Sequence, residues 1–349
     1  MAVTQKFIAN EAGVSQKTVS LYFQNSPLVS DHTREKLREV TEQYGYLPNQ
    51  AARSIKTKRF KRIACVVIQY VTDRKRDLQL RHPHLLAYIN GAALELAKYG
   101  YSLVLEPLLL DHLTQEYITS PDLFKSLSVD GIIGLPGGWV PEFIDTSINS
   151  MGLPVVWLNR NPVNGKDFSC INIDDAAGAR QLTSYLLDKG YRKIAWFGPE
   201  IVQDVTFHYS AKERFNAVQQ TLNSRGQKLY KSVFSRRGRN LSEAVFELFK
   251  DETPDAVICS HFQYQEATVY AAMSYGLMIP HDVEVVHFAS SWEYNPDIYN
   301  FKTFILLPEM QIGQTGARYL YRRLCGESDN TLLRPLAGTL HIGTPLTFK

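Results

Sequence analysis

Gln16, Lys17, Thr18, Ser20 and Leu21 stand together near the start of the chain. They offer an amide, a cation, two hydroxyls and an apolar tip, the equipment for reading base edges and touching phosphates. To act together they must share one outward helical face. Ile8, Ala9 and Ala12 give a short helical pattern that stops at Gly13, where glycine takes the left-handed backbone a helix end often needs. Ser15 is an N-cap candidate for a second helix with Val19 and Phe23 inward. Two short helices joined by a glycine-containing turn form a helix-turn-helix, whose second helix would face a DNA major groove. An ordinary helical hairpin inside a core carries the same pattern.

Ser30 caps a predicted third helix, Asp31 to Tyr44, with Leu37, Val40, Thr41 and Tyr44 as its packing stripe. Asp31 complements the positive end of that helix, and Gly45 terminates it. The segment from Asn49 to Thr57 has a good N-cap but only two turns of helix. Alone in water it is too short to persist, so it reads as a hinge that folds on a nucleic-acid partner. A basic linker, 58–62, follows. Residues 1–62 hold 11 Lys+Arg against 5 Asp+Glu, while the remainder of the 349 residues is net acidic. A basic head on a mildly acidic body points to a polyanion for the head alone, although a basic face can serve solubility only.

From Arg62 the period changes. Ile63 to Ile68 is an unbroken apolar, β-branched run, as expected of a strand buried on both faces. A helix is predicted from His84 to Tyr99, a strand from Tyr101 to Leu105, a helix near Pro121–Leu127, and strands at 131–134 and 155–158. The rhythm restarts with a strand at 170–173, a helix at 176–189, a strand at 193–198 and a helix at 211–225. It ends with a strand at 255–259, a helix at 263–275 and a strand at 283–288. The fold class is a small all-α helix-turn-helix head plus an α/β body of two doubly wound parallel-sheet lobes, with a ligand cleft at the strand carboxyl ends. The expected divisions are 1–48 for the head, 49–61 for hinge and linker, and 62–349 for the two-lobed body, to which the resemblance given below adds effector binding and dimerisation.

No apolar run reaches membrane-span length and no signal-peptide h-region opens the chain, so a cytoplasmic protein with no membrane partner is expected. Cys65, Cys170, Cys259 and Cys325 lack metal spacing. The first three lie in apolar strand-like runs and read as buried reduced thiols. No nucleophile elbow, phosphate loop or metal cluster supports an enzyme, and no cofactor is implied.

Four stretches then fix a resemblance: 12–20 (AGVSQKTVS), 29–34 (VSDHTR), 44–49 (YGYLPN) and 52–55 (ARSI). In that order and spacing they resemble the LacI family of bacterial transcription repressors. The body follows more loosely, through 129–133, 153–156, 186–195 and 277–282, the family's regulatory domain, which is similar to periplasmic sugar-binding proteins. Residues 308–313 resemble the segment that returns the chain to the first lobe. The resemblance implies a homodimer on double-stranded, pseudo-palindromic operator DNA, repressing transcription under control of a small-molecule effector, a sugar or related metabolite.

It also implies roles. Gln16, Lys17 and Leu21 should read bases, while Thr4, Ser15, Thr18 and Ser20 contact phosphates or cap helices. Asn49, Ala52, Arg53, Ile55 and Lys56 belong to the hinge helix, with Ile55 as a wedge in the minor groove. The cleft set is Tyr70, His84, Asn159, His208, Ser210, Arg214, His261, Ala289 and Trp292, with Trp139 and Tyr294 as further aromatic neighbours. Arg214 can clamp a hydroxyl pair or a carboxylate.

Some positions depart from the family pattern. Leu21 replaces a polar reader, and Phe7 replaces an acid in the first helix. His261-Phe262 and Ala289 stand where polar hydroxyl binders are usual, so the cleft suits an ordinary hexose less well. The alternative is a regulator with a degenerate cleft and no small-ligand control. A basic stretch, 73–82, reads as a solvated loop, or as a contact for an anionic effector, DNA or a subunit.

Overall fold

The computed structural model describes residues 3–23, 26–46, 59–71, 85–111, 114, 116–119, 128–136, 139–160, 169–201, 208–235, 241–291, 302–327 and 333–344. The chain divides into two compact units, Met1–Phe60 and Lys61–Lys349.

The first unit contains α1 (Gln5–Glu11), α2 (Gln16–Tyr22) and α3 (Asp31–Gln43). Each begins at a hydroxyl. Thr4 accepts from Phe7 N, Ser15 from Thr18 N and Ser30 from Thr33 N, which satisfies donors a helix start leaves open. Gly13 (φ +61°) makes the turn between α1 and α2. The core is small: Ile8, Ala9, Ala12, Val19 and Leu37, flanked by half-buried aromatics. Phe7, where a capping acid was missed, supports this core instead, its ring edge-on to Tyr44 at 5.0 Å.

The second unit holds two six-stranded sheets. The first contains β1 (Arg62–Val71), β2 (Ser102–Asp111), β3 (Tyr117–Thr119), β4 (Gly131–Pro136), β5 (Val155–Leu158) and β6 (Cys170–Ile171), in the order β3-β2-β1-β4-β5-β6. Helices α4 (Leu85–Lys98) and α5 (Glu142–Ser150) belong to this lobe. The crossing strand expected over 170–173 is split. Ile171 stays on β5, whereas β7 (Ile173–Asp174) pairs elsewhere. Asn172 between them is bound both ways by Arg160, its Oδ1 accepting from Arg160 N at 3.0 Å and its Nδ2 donating to Arg160 O at 3.1 Å.

The second lobe continues with α6 (Asp175–Asp188), β8 (Ile194–Pro199), α7 (Ser210–Ser224), β9 (Lys231–Ser235), the short α8 (Leu241–Ala244), β10 (Ala256–Cys259), α9 (Phe262–Ser274), β11 (Glu284–Ala289) and β12 (Phe304–Leu306). Helix α10 (Glu309–Leu324) returns to the first lobe, packing on α4 and β5. The chain then comes back as β13 (Leu336–Ala337), paired with β7, and β14 (Thr339–His341), on the edge of the second sheet. That sheet runs β14-β12-β11-β10-β8-β9. The strands run parallel except at β2/β3 and β12/β14.

The strand expected to end at Leu105 continues to Asp111. The helix expected near Pro121–Leu127 lies outside the described residues. Cys65 and Cys259 are buried, and burial pushes each thiol up to about 12. Cys170 is only half-buried, a correction to the expectation, because its Sγ–H reaches Asn172 Oδ1 at 3.0 Å where the chain crosses between lobes. No described helix is long and apolar enough to cross a membrane.

Two features bind the lobes. One cluster of buried apolar side chains runs from Val67 and Leu158 in the first lobe to Trp196 and Phe288 in the second. Helix α10 crosses α4 so closely that glycines make the contact: a Cβ on Gly313 would overlap the Tyr88 carbonyl oxygen, and one on Gly91 the Met310 carbonyl. Gly313→Ala adds about 1 kcal/mol of helix propensity but forces two backbones apart, an overpacking cost of about 1–3 kcal/mol. Urea unfolding of the variant should therefore show a net loss of stability, and an unchanged midpoint would refute the tight crossing.

Candidate DNA interface and inter-lobe cleft

In the head, Thr4, Ser15, Gln16 and Lys17 are exposed, while Thr18, Ser20 and Leu21 are half-buried. Ser15 Oγ lies 3.0 Å from Thr18 N and 2.9 Å from Thr18 Oγ1, so these two hydroxyls fix the start of α2. Thr4 does the same for α1 at 3.2 Å. Gln5 Nε2 donates to Gln16 O at 3.2 Å, tying the two helices together. The first turn of α2 thus presents Gln16 and Lys17 to solvent on a fixed backbone, as recognition by a helix in a groove requires. Asn49, Ala52, Arg53, Ile55 and Lys56 lie outside the described residues.

In the body, the structure gathers four of the expected cleft residues. Asn159 ends β5 with a left-handed backbone (φ +55°), which asparagine tolerates better than most residues. Its carbonyl oxygen lies 3.0 Å from His208 Nε2, and its Oδ1 accepts from Tyr209 OH at 2.6 Å. His208 Nδ1 lies 2.9 Å from Ser210 Oγ. Ser210 opens α7, and Arg214 follows one turn on. Burial, the largest influence, lowers the His208 imidazole from its usual range, against an opposing pull from the Asp175 charge.

Arg214 is 2% exposed and fully engaged. Its Nε donates to Asp175 Oδ1 at 2.6 Å, Nη2 forms an ion pair with the same oxygen at 2.6 Å, and Nη1 donates to the Ser260 carbonyl at 2.5 Å. Its guanidinium lies 4.2 Å from the centroid of the Phe288 ring. His261 joins through its neighbour, Nδ1 lying 2.8 Å from Ser260 Oγ. Ala289 is fully buried and offers no side-chain polar atom, but Ser290 and Ser291 beyond it both bind Glu309 Oε2, at 2.5 and 3.2 Å. Tyr70 packs in another cluster of the first lobe and donates to Trp139 O at 3.0 Å. His84, Trp292, Tyr294 and the stretch 73–82 lie outside the described residues.

Sequence reasoning missed Asp175, Tyr209 and Glu309. One signal was available for Asp175: Asp174 and Asp175 precede a helix that needs only one cap. Asp174 provides it, accepting from Ala177 N at 2.8 Å, which leaves Asp175 for another task. It also missed the bidentate pair buried in the first lobe, Arg160 with Asp145 at 2.7 and 2.5 Å, over the Trp157 ring. His287 is fully buried near Phe262 and Phe304, and neither ring nitrogen has a hydrogen-bond partner among the described residues. Burial above all, and the nearby Lys302 charge, push it down to about 3.

Comparison with known proteins gives a consistent pattern. Residues 5–49 match the family described as bacterial regulatory proteins, lacI family, and residues 183–341 match the periplasmic binding protein-like domain. Catabolite control protein A of Staphylococcus aureus is 26% identical over 334 residues, covering 94% of each chain. That of Staphylococcus epidermidis is 27% identical over 346 residues, with the same coverage. Among solved structures, a lac repressor dimer bound to operator and an anti-inducer superposes with a TM-score of 0.70 at 18% identity, covering 98% of each chain. The transcriptional regulator CelR in complex with cellobiose gives a TM-score of 0.61 at 24% identity, covering 97% of this chain and 98% of that one.

Two predictions follow from the buried ionisable groups. Arg214→Ala strands the Asp175 carboxylate in the interior and should cost about 3–5 kcal/mol of unfolding free energy. Adding Asp175→Ala should restore most of that in the same urea titration, and a simple sum of two losses would contradict the pairing. His287 binds a proton in the unfolded chain near its ordinary 6.5 but in the fold only near 3. Its contribution is thus intact above about pH 6.5 and falls by up to about 1.4 kcal/mol per pH unit as the pH drops toward 3. His287→Leu should flatten the decline between pH 6.5 and 4, and melting curves for the two proteins that stay parallel would rule the residue out as its source.

Proposed function

We propose that the chain, a DNA-binding transcriptional regulator of the LacI family of bacterial regulatory proteins, acts as a homodimeric repressor on a pseudo-palindromic operator, under control of a small molecule bound between its lobes. The observation that carries this reading is the capped α2, which holds Gln16 and Lys17 outward on a backbone fixed by Ser15 and Thr18. Gln16, Lys17 and Leu21 read bases. Thr4 and Ser20 contact phosphates, which sets the orientation without reading sequence. Asn49, Ala52, Arg53, Ile55 and Lys56 form the hinge, with Ile55 as the wedge that kinks the duplex.

Dimerisation draws support from the second lobe. Tyr270, Met273, Tyr275 and Met278, on α9 and the turn after it, are each more than half exposed. Four large apolar side chains so close in sequence suit a subunit contact better than water. The lac repressor, similar in fold, binds its operator as a dimer. The effector is a sugar or related metabolite. The polar network of Asn159, His208, Tyr209 and Ser210 supports this, as does the cellobiose complex of CelR. Such a ligand regulates by binding one lobe arrangement better than the other, and so shifts the hinge and DNA affinity. The site of action is the bacterial cytoplasm.

Selection from a random DNA pool, with affinities then measured over a salt series, tests the reading. An enriched near-palindrome with a deformable central step is expected, with affinity falling steeply as salt rises. Lys17→Ala and Leu21→Ala should each alter base preference at one half-site position by about 1–3 kcal/mol. Ile55→Gly should weaken specific binding and leave the body's melting temperature unchanged. Met273→Asp should shift sedimentation toward monomer and weaken operator binding. A pool without enrichment, in which only weak salt-sensitive binding survives, would overturn the proposal.

A further inference from the structure

Lys61 carries a backbone that its residue type does not favour. Its φ is +56°. Elsewhere among the described residues a positive φ falls on glycines, on Asn159 and on Asp251, the types that tolerate the left-handed region best. A lysine gains nothing from that region, so its neighbours must impose it.

The main chain is gripped at both ends. Lys61 N donates to Asp130 Oδ2 at 2.8 Å. Its carbonyl oxygen accepts from Ser102 N at 3.0 Å and from Ser102 Oγ at 3.4 Å. Asp130 is itself tied down, its N donating to Arg62 O at 2.8 Å. The side chain adds two contacts: Nζ donates to Tyr99 O at 3.5 Å and stands 4.2 Å from the centroid of the Tyr101 ring. One exposed residue is thus held by the residue that precedes β4 and by the first residue of β2. The next residue, Arg62, begins β1 in register with Ser102.

Position makes this conformation matter. Lys61 is the first residue of the second unit, and the whole DNA-reading unit precedes it. An extended residue, with φ about −120°, would swing the preceding chain through roughly half a turn about the N–Cα bond. We propose that Lys61 is a positioning residue for operator binding: its left-handed backbone, clamped by Asp130 and Ser102, sets the direction in which the chain leaves the body, and it acts through that backbone and not through its charge. This rests on the DNA-binding role of the head and needs no ligand in the cleft. In the proposed dimer two heads must meet two half-sites at a fixed spacing. A fixed exit from each body reduces the ordering that binding demands. A relaxed exit dilutes the second head at its half-site.

Asparagine and valine at this position separate backbone from charge. Both remove the cation. Asparagine accepts the left-handed region, whereas a β-branched residue is a genuine outlier there. The test is fluorescence anisotropy of the full-length protein on the duplex enriched from a random DNA pool. Lys61→Val should bind about tenfold or more weakly than Lys61→Asn. Both are measured far below their melting temperatures, with folding checked by circular dichroism, so the gap reads docking and not stability. Asp130→Asn keeps an oxygen for Lys61 N and should bind like the wild type, whereas Asp130→Leu should match Lys61→Val. Combining Lys61→Val with Asp130→Leu should add little, because both open one clamp. Equal affinities for Lys61→Val and Lys61→Asn overturn the inference, since the backbone then has no part. Fully additive losses in the double variant overturn it as well. If no duplex is enriched with the wild type, the reading of sequence by the head falls, and this inference with it.

Discussion

The pair between Arg214 and Asp175 is the constraint on which the second lobe's cleft face depends. One guanidinium joins the start of α6, the carbonyl that ends β10 and the ring of Phe288 on β11. Taken from water separately, either ion would be expensive. Together, with the Ser260 carbonyl taking a third N–H, the charges are nearly satisfied. The geometry follows. Ser260 is held against Arg214, so His261 and the start of α9 have a fixed position. Ser210, one turn before Arg214, is fixed as well, and with it His208 and Tyr209, which reach Asn159 in the first lobe. A charged group buried for structural reasons thereby sets where the cleft's polar atoms stand.

The two lobes do not behave as separate beads. Their buried side chains form one continuous cluster, and α10 leaves the second lobe to pack on α4 of the first. Its N-terminal Glu309 is bound to Ser290 and Ser291 at the end of β11, and its C-terminal Tyr321 stacks on Tyr99 at 3.8 Å. Tyr99 and Tyr101 in turn meet Lys61, the first residue of this unit. Helix α10 thus joins the end of β11 to the tyrosines that meet Lys61, the residue before β1.

The head solves a different problem with little material. Its core is five small or medium apolar residues, too few to fix helix ends by packing alone. Hydroxyl caps at Thr4, Ser15 and Ser30 do that work locally. The same caps hold the first turn of α2, on which Gln16 and Lys17 are exposed.

Periodicity alone determined much of this protein. The three capped helices of the head, the parallel strands with unbroken apolar runs and the glycine-ended helices between them all follow local rules. A buried strand or a capped turn is decided by its own residues. Helix α10 reads in sequence only as a returning segment at 308–313, although Ile312, Tyr319 and Leu320 give it an apolar stripe; what the sequence does not reveal is that Gly313 lets it meet the backbone of α4 and Gly316 the side chains of Leu158 and Ile171. The strand at 170–173 was misjudged for a related reason: Asn172 divides it through bonds to Arg160, twelve residues earlier. The cleft was legible as positions but not as chemistry. Arg214 could be found in the sequence as a cation; that Asp175, 39 residues before it, neutralises it could not. Local pattern reports which face of an element is apolar. Which buried charges meet, and which oxygen is left without a donor, is decided only when distant segments pack, because Coulomb and hydrogen-bond energies depend on distances that sequence spacing does not contain.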